Sequence, residues 1–175
     1  MLRADEKIKY GEIHLNELKN KIREKSAITT GDPWENAHIE SCMYHLAGAV
    51  EAILHEINIG YSLNLRLQNV TWDKVEKILK KTGEQSKAFE YLQRSKKSEP
   101  WLILLFNLRN YGTHRRRTPK NISFSEAYPE FIDPTTNPPQ PQHAYPKANT
   151  VAVLENFVND VTDLVHDCRK MDSRL

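Results

Sequence analysis

An arginine, an asparagine and a histidine stand within six residues at Arg109-Asn110-Tyr111-Gly112-Thr113-His114, and Arg115-Arg116-Arg117 follow at once. A guanidinium keeps its charge throughout the physiological range, whereas an imidazole titrates near neutrality. Together they suit chemistry on a phosphate, the one facing negative charge and the other moving a proton. Asn110 both donates and accepts, which suits it to holding a neighbouring side chain in place. The candidate catalytic residues are therefore Arg109, Asn110 and His114. Arg115, Arg116, Arg117 and Lys120 are candidates for holding flanking phosphates, a contribution that weakens steeply with salt.

Arginine and histidine at this spacing are common by accident: a chain of this length carries such a pair about half the time at average residue frequencies. Asparagine directly after the arginine lowers the accidental rate to roughly one chain in a hundred or fewer. The preceding segment adds a separate argument. Arg109 follows Leu102 by seven residues, Leu105 by four and Phe106 by three, so a helix that buries those residues aims Arg109 along the same side. A permanent cation on a packed face is costly unless an anion, several hydrogen bonds or water meets it. The same pattern also fits a purely structural role, with cations at a helix C-terminus meeting the dipole and Arg109 paired with a carboxylate of the bundle.

The elements that must position this motif read as helices. Apolar residues recur at three-and-four spacing in long segments and strand signals are nearly absent, which predicts an all-α, up-and-down helical bundle of four main helices plus short ones. A first helix near residues 4–25 carries Ile8, Leu15, Leu18 and Ile22 on one stripe. A second begins with Asp32 as cap, Pro33 in the first helical position and Glu35 completing a capping box. Its core stripe runs Ile39, Cys42, Met43, Leu46, Val50, Ile53, Leu54 and Ile57 until Gly60 stops it. Ser41, His45, Gly48, Ala52 and His55 form another stripe, whose small residues Gly48 and Ala52 admit a helix closely, either from this chain or from a second copy.

Shorter helices follow at about 71–81, started by Thr71, and 84–95, with Gly83 between them. Ser98 is the expected cap of the motif helix, with Glu99 in its first turn. The run Trp101 to Phe106 is apolar all round, which puts that helix in the middle of the bundle. Gly112 is free to adopt left-handed angles, so the helix is expected to end there and let His114 turn back toward Arg109. Residues 118–146 hold seven of the nine prolines, a composition no regular helix tolerates. They also contain Phe124, Tyr128, Phe131 and Tyr145, which predicts an irregular insertion partly packed on the surface. A last helix near 147–170 presents Val151, Leu154, Phe157, Val158, Val161, Leu164, Val165 and Cys168.

Bulk properties set the limits. With 175 residues the chain is expected to form one domain, 1–175, the proline-rich insertion included. Charged residues make up 27% and the formal net charge is only +2, so nucleic-acid binding must rest on a local patch rather than on overall charge. Beside Arg115 to Arg117 and Lys120, a weaker patch is Lys80 and Lys81 with Arg94, Lys96 and Lys97. No run is long enough to cross a bilayer and the first residues lack a signal-peptide core, so a cytoplasmic protein with no membrane partner is expected. Cys42 and Cys168 each fall on an apolar stripe and read as core residues.

Arg109-Asn110-x-x-x-His114 at the end of an apolar helix, in an all-α chain of this size, resembles the signature of HEPN domains: arginine, four to six residues, histidine, with a polar residue after the arginine. The resemblance implies a metal-independent endoribonuclease of the kind found in toxin–antitoxin and antiviral systems. It also implies a homodimer whose two motifs share one cleft, and RNA as substrate. A nucleotidyltransferase-type antitoxin is a partner it makes possible. Carried onto this chain, Arg109 and His114 are catalytic and Asn110 orients them. Cleavage through the 2′-hydroxyl, leaving a 2′,3′-cyclic phosphate, needs a base, an acid and a cation for the pentavalent phosphate. One motif offers one histidine, and two copies about a two-fold axis offer two. In one HEPN subgroup a tyrosine two residues after the histidine is modified by the partner; here that position is Arg116. Other members have lost activity, so the alternative is a non-catalytic module that binds nucleotide, RNA or protein.

No cofactor and no metal are expected. His38, His45 and His55 lie seven and ten residues apart on one helix, about 10 to 15 Å, too far to share an ion. His38 with Cys42 and Glu51 with His55 have ligand-like spacing but supply two ligands each. His143 and His166 have no visible partners. Gly-rich phosphate loops, a Ser-His-Asp order and CxxC pairs are absent from the sequence.

Overall fold

A computed structural model describes residues 3–25, 32–114, 132–133, 140–141 and 149–175. The described residues are almost entirely helical: α1 (Arg3–Lys25), α2 (Pro33–Gly60), α3 (Trp72–Thr82), α4 (Lys87–Ser98), α5 (Pro100–His114) and α6 (Thr150–Met171), with a 3-10 turn at Leu67–Asn69. Two residue pairs from the proline-rich segment, Ile132–Asp133 and Gln140–Pro141, form a minimal antiparallel ladder. The rest of 118–146 lies outside the described residues.

Local chemistry explains the helix ends. The Asp32 carboxylate accepts from the Trp34 amide at 2.9 Å, and Pro33 fills the first helical position, where a missing N–H costs nothing. Thr71 caps α3 through the Lys74 amide, and α3 stops at Gly83, whose φ of 71° is the left-handed turn that favours glycine. Asn149 caps α6 by accepting from Ala152 N.

The boundaries of the fourth and fifth helices differ from expectation. The fourth helix starts at Lys87, because Ser86 caps it by accepting from Phe89 N, and it runs through Ser98. Ser98 is therefore not the cap of the motif helix; its hydroxyl donates back to the Arg94 carbonyl. The break falls one residue later because Pro100 forces the residue before it out of the helical region: Glu99 is extended at φ −84°, ψ 112°, and its carbonyl accepts from Leu102 N and Ile103 N as α5 begins. Nor does Gly112 end the motif helix, whose backbone stays helical to His114.

Helix α2 is the axis of the bundle. It packs most extensively against α1, then against α6 and α5, and also touches α3 and α4, while α1 and α4 also touch α6. The side chains fully enclosed between them include Phe157, Leu18, Leu46, Ile53, Leu54, Ile57, Leu102, Leu105 and Leu154. At the expected ~25 cal/mol per Å² of apolar surface removed from water, this one contiguous cluster is the main favourable term holding the helices together. Cys42 and Cys168 belong to it as free thiols, and burial pushes both up to about 12, so neither is a thiolate at neutral pH.

The stripe of small residues on α2 is covered by this chain's own α1. A Cβ added at Gly48 would stand 3.5 Å from the Lys7 side chain, Ala52 is buried, and Gly11 of α1 comes so close to Leu46 that an added Cβ would stand 2.9 Å from it. A tighter approach occurs at Gly60, where a Cβ would run into the Arg174 carbonyl oxygen. Backbone cannot yield as a side-chain tip does, so Gly60→Ala is expected to cost about 1–3 kcal/mol, read as a lower urea midpoint with unchanged m.

Candidate active site at the end of helix α5

Helix α5 lies against α2 with Leu102 and Leu105 fully buried and Leu104, Phe106 and Leu108 nearly so. Ile103 breaks the expectation of a helix apolar and buried all round, since it is 40% exposed. The register carries Arg109 out along the buried side, as the spacing from Leu102, Leu105 and Phe106 requires. Its side chain keeps 19% of its exposure, and its Nη1 donates to Glu51 Oε1 of α2 at 2.8 Å. The guanidinium carbon stands 5.0 Å from the Phe106 ring centre, and Nε donates to Asn110 Oδ1 at 3.3 Å. Asn110 is exposed and turned onto its neighbour, as a positioning side chain would be.

Two residues join this site that spacing did not indicate. Glu51 is the anion that meets the buried-side cation; the sequence showed it only as the neighbour of His55. Lys96 of α4 is the other. Its ammonium lies 4.2 Å from the Trp72 ring centre and 5.6 Å from that of Phe106, so Arg109 and Lys96 share one aromatic ring. Burial holds Lys96 below its ordinary value, Glu51 and Asp73 oppose that shift, and Arg109 adds to it. Thus the motif arginine sits in a compact group of two cations and two carboxylates contributed by α2, α3, α4 and α5. Arg109 follows Lys96 by thirteen positions, and the α4–α5 break at Glu99–Pro100 folds one back beside the other. Of the weaker basic patch, Lys80 is instead engaged with Glu76 at 2.6 Å and Arg94 lies over Tyr91.

His55, one turn beyond Glu51, is half-buried. Burial lowers its affinity for a proton, Arg3 lowers it further, and Glu51 opposes. Its Nδ1 is buried with no hydrogen-bond partner among the described residues. Because α5 continues past Gly112, the Cα of His114 stands about 7.5 Å along the axis from that of Arg109, and one turn beyond Asn110. The side chain of His114, and Arg115, Arg116, Arg117 and Lys120 altogether, lie outside the described residues. Among the described residues no three His, Cys, Asp or Glu side chains are grouped to hold a metal ion, and no helix is long and apolar enough to cross a membrane. Comparison with models of known families, with curated proteins and with solved structures finds no match to this chain.

Proposed function

We propose that this protein is a HEPN-like, metal-independent endoribonuclease in which Arg109 faces the scissile phosphate, His114 transfers protons and Asn110 fixes the arginine. The observation that carries the reading is the setting of Arg109: a cation held at the end of a buried helix by Glu51, braced by Asn110 and adjoined by Lys96. A charge kept in that position at the cost of partial desolvation is the arrangement expected where charge develops during reaction. The proposed enzyme is a homodimer, since one histidine per chain supplies either the base or the acid, and a symmetric pair supplies both. A role as a toxin or antiviral component, restrained by a nucleotidyltransferase-type antitoxin, belongs to the same proposal.

The Arg109–Glu51 pair is also what a purely structural arginine would make, and the same residues admit a second functional reading, a non-catalytic module that binds nucleotide or RNA. The two differ in what His114 does. For the enzyme, His114→Ala lowers cleavage of single-stranded RNA by at least about a hundredfold. Products end in 2′,3′-cyclic phosphate, and a chelator leaves the rate unchanged. Equal cleavage by the variant, or loss of cleavage with chelator, rejects the mechanism. Absence of cleavage, with RNA binding retained in His114→Ala and weakened in Arg109→Ala, selects the binding module.

A further inference from the structure

Three histidines that the candidate site does not use meet on the opposite side of α2. His14 of α1 inserts between His38 and His45 of α2, which are too far apart to touch one another. Its ring lies edge-on to His38, with centres 5.1 Å apart, and stacks on His45 at 5.5 Å with only 10° between planes. The Nδ1 atoms of His14 and His38 are 3.2 Å apart. At that distance one nitrogen donates and the other accepts, so the contact holds one proton and has no place for two.

The surroundings disfavour added positive charge. From α1, Lys7 bears on His45 and also lies 5.5 Å from the Tyr44 ring centre, while Tyr10 packs on His45 at 5.3 Å. From α2, Trp34 covers His38 at 3.8 Å and Tyr44 meets His45 edge-on. At the end of the seam Lys21 lies over Trp34 and is held by Asp32 at 3.0 Å. Glu17, one turn beyond His14, is the carboxylate that favours a proton there. Lys19 is turned away to Glu155 of α6. The Nδ1 of His45 is buried and meets no hydrogen-bond partner among the described residues.

We propose that His14, His38 and His45 form a proton-operated clasp that holds the second half of α1 on the first half of α2 while one proton lies between the Nδ1 atoms of His14 and His38, and loosens it when His14 and His45 become charged. Burial, and then His38, hold His14 below the ordinary imidazole value of 6.5, and burial, Lys7 and His14 do the same for His45. Groups whose folded values are lowered bind fewer protons in the closed state than in the open one. The clasp therefore contributes its full stability above pH 6.5 and loses it as pH falls through the folded values.

Two measurements on the full chain test this. Histidine ring signals followed by NMR from pH 8 to 4.5 should show His14 and His45 gaining protons below 6.5. Amide exchange, corrected for its intrinsic pH dependence, should accelerate in 14–23 and 33–45 over the same interval while α6 stays protected. Rings that titrate at or above 6.5, or acceleration equal in α6, overturn the clasp. In addition, the wild type should melt about 3 °C or more lower at pH 5.5 than at pH 7.5. His14→Phe keeps a flat ring without the proton and should shrink that difference by half or more; an undiminished difference overturns the proposal. Should that variant not fold, the ring titration and the exchange pattern of the wild type decide.

Discussion

Replacing Arg169 by methionine is expected to destabilise the fold by about 3–5 kcal/mol, enough to lower the melting temperature by roughly 6–20 °C in a chain of this length. Arg169 of α6 donates through Nε to Glu56 Oε2 at 2.9 Å, through Nη2 to Glu56 Oε1 at 2.8 Å and through Nη1 to Asp5 Oδ1 at 2.8 Å. It thereby joins α1, α2 and α6 by one side chain. Glu56 keeps only 9% of its exposure, so the methionine variant leaves a carboxylate in the interface without its two charged donors. That uncompensated charge, rather than the attraction lost, is the larger part of the cost. The cycle with Glu56→Leu checks it: the double variant, apolar on both sides, should recover most of the loss. A double variant as unstable as the sum of the singles would show that the pair acts through packing alone.

Asp172→Ala is expected to cost about 3 kcal/mol, two charged hydrogen bonds' worth, measured as the shift of a denaturant midpoint. Asp172 follows α6 and is 95% buried at the start of α4, with 5% of its surface exposed. One carboxylate oxygen accepts from Ser86 Oγ and Tyr61 Oη, both at 2.8 Å, and from Ala88 N at 3.4 Å; the other accepts from Arg174 N at 3.3 Å. Alanine leaves the Ser86 hydroxyl, itself the cap of α4, facing an empty acceptor position. Burial alone would raise the affinity of Asp172 for a proton, but the hydrogen bonds from Ser86, Tyr61 and the two amides outweigh it, and the net shift is downward from 3.8. Stability from this group is therefore complete above pH 3.8 and is lost as pH falls through the folded value. The wild type should lose stability in that acid range, and Asp172→Ala should show a smaller slope there. An identical slope would assign the acid sensitivity to other carboxylates.

The two acid responses are separable by their windows. Loss of the histidine clasp belongs to the interval below pH 6.5 and to the α1–α2 seam; loss of the Asp172 contacts belongs below pH 3.8 and to the junction of α6 with α4. Arg169 retains its charge in both. A melt followed across pH 8 to 3 should consequently begin to lose stability below pH 6.5 and lose more below pH 3.8.

The sequence by itself determined the helices and which faces they bury. Three-and-four spacing is enforced by helix geometry within each segment, so Ile39 to Ile57 on α2 and Leu154 to Cys168 on α6 announced their core stripes without any partner in view. Caps were legible where they depend on neighbours in sequence, as at Asp32, Pro33 and Thr71. They were misplaced at Ser98, where the conformational demand of Pro100 outweighed the preference of serine for the cap. The exposure of Ile103 was hidden for a related reason: an apolar side chain does not reveal whether another helix will cover it.

The motif divides along the same line. That Arg109 leaves α5 on its buried side followed from its distance to Leu102, Leu105 and Phe106, and so did the need for an anion, hydrogen bonds or water to meet it. That the anion is Glu51, fifty-eight residues earlier, and that Lys96 shares the Phe106 ring, was decided by how α4 and α5 fold onto α2. The histidines show the contrast most clearly. Spacing along α2 correctly keeps His38 and His45 apart, yet it carries no information about α1, which brings His14 between them. Contacts within a helix are fixed by 3.6 residues per turn; contacts between helices are chosen by packing the whole core, and only the folded chain makes that choice.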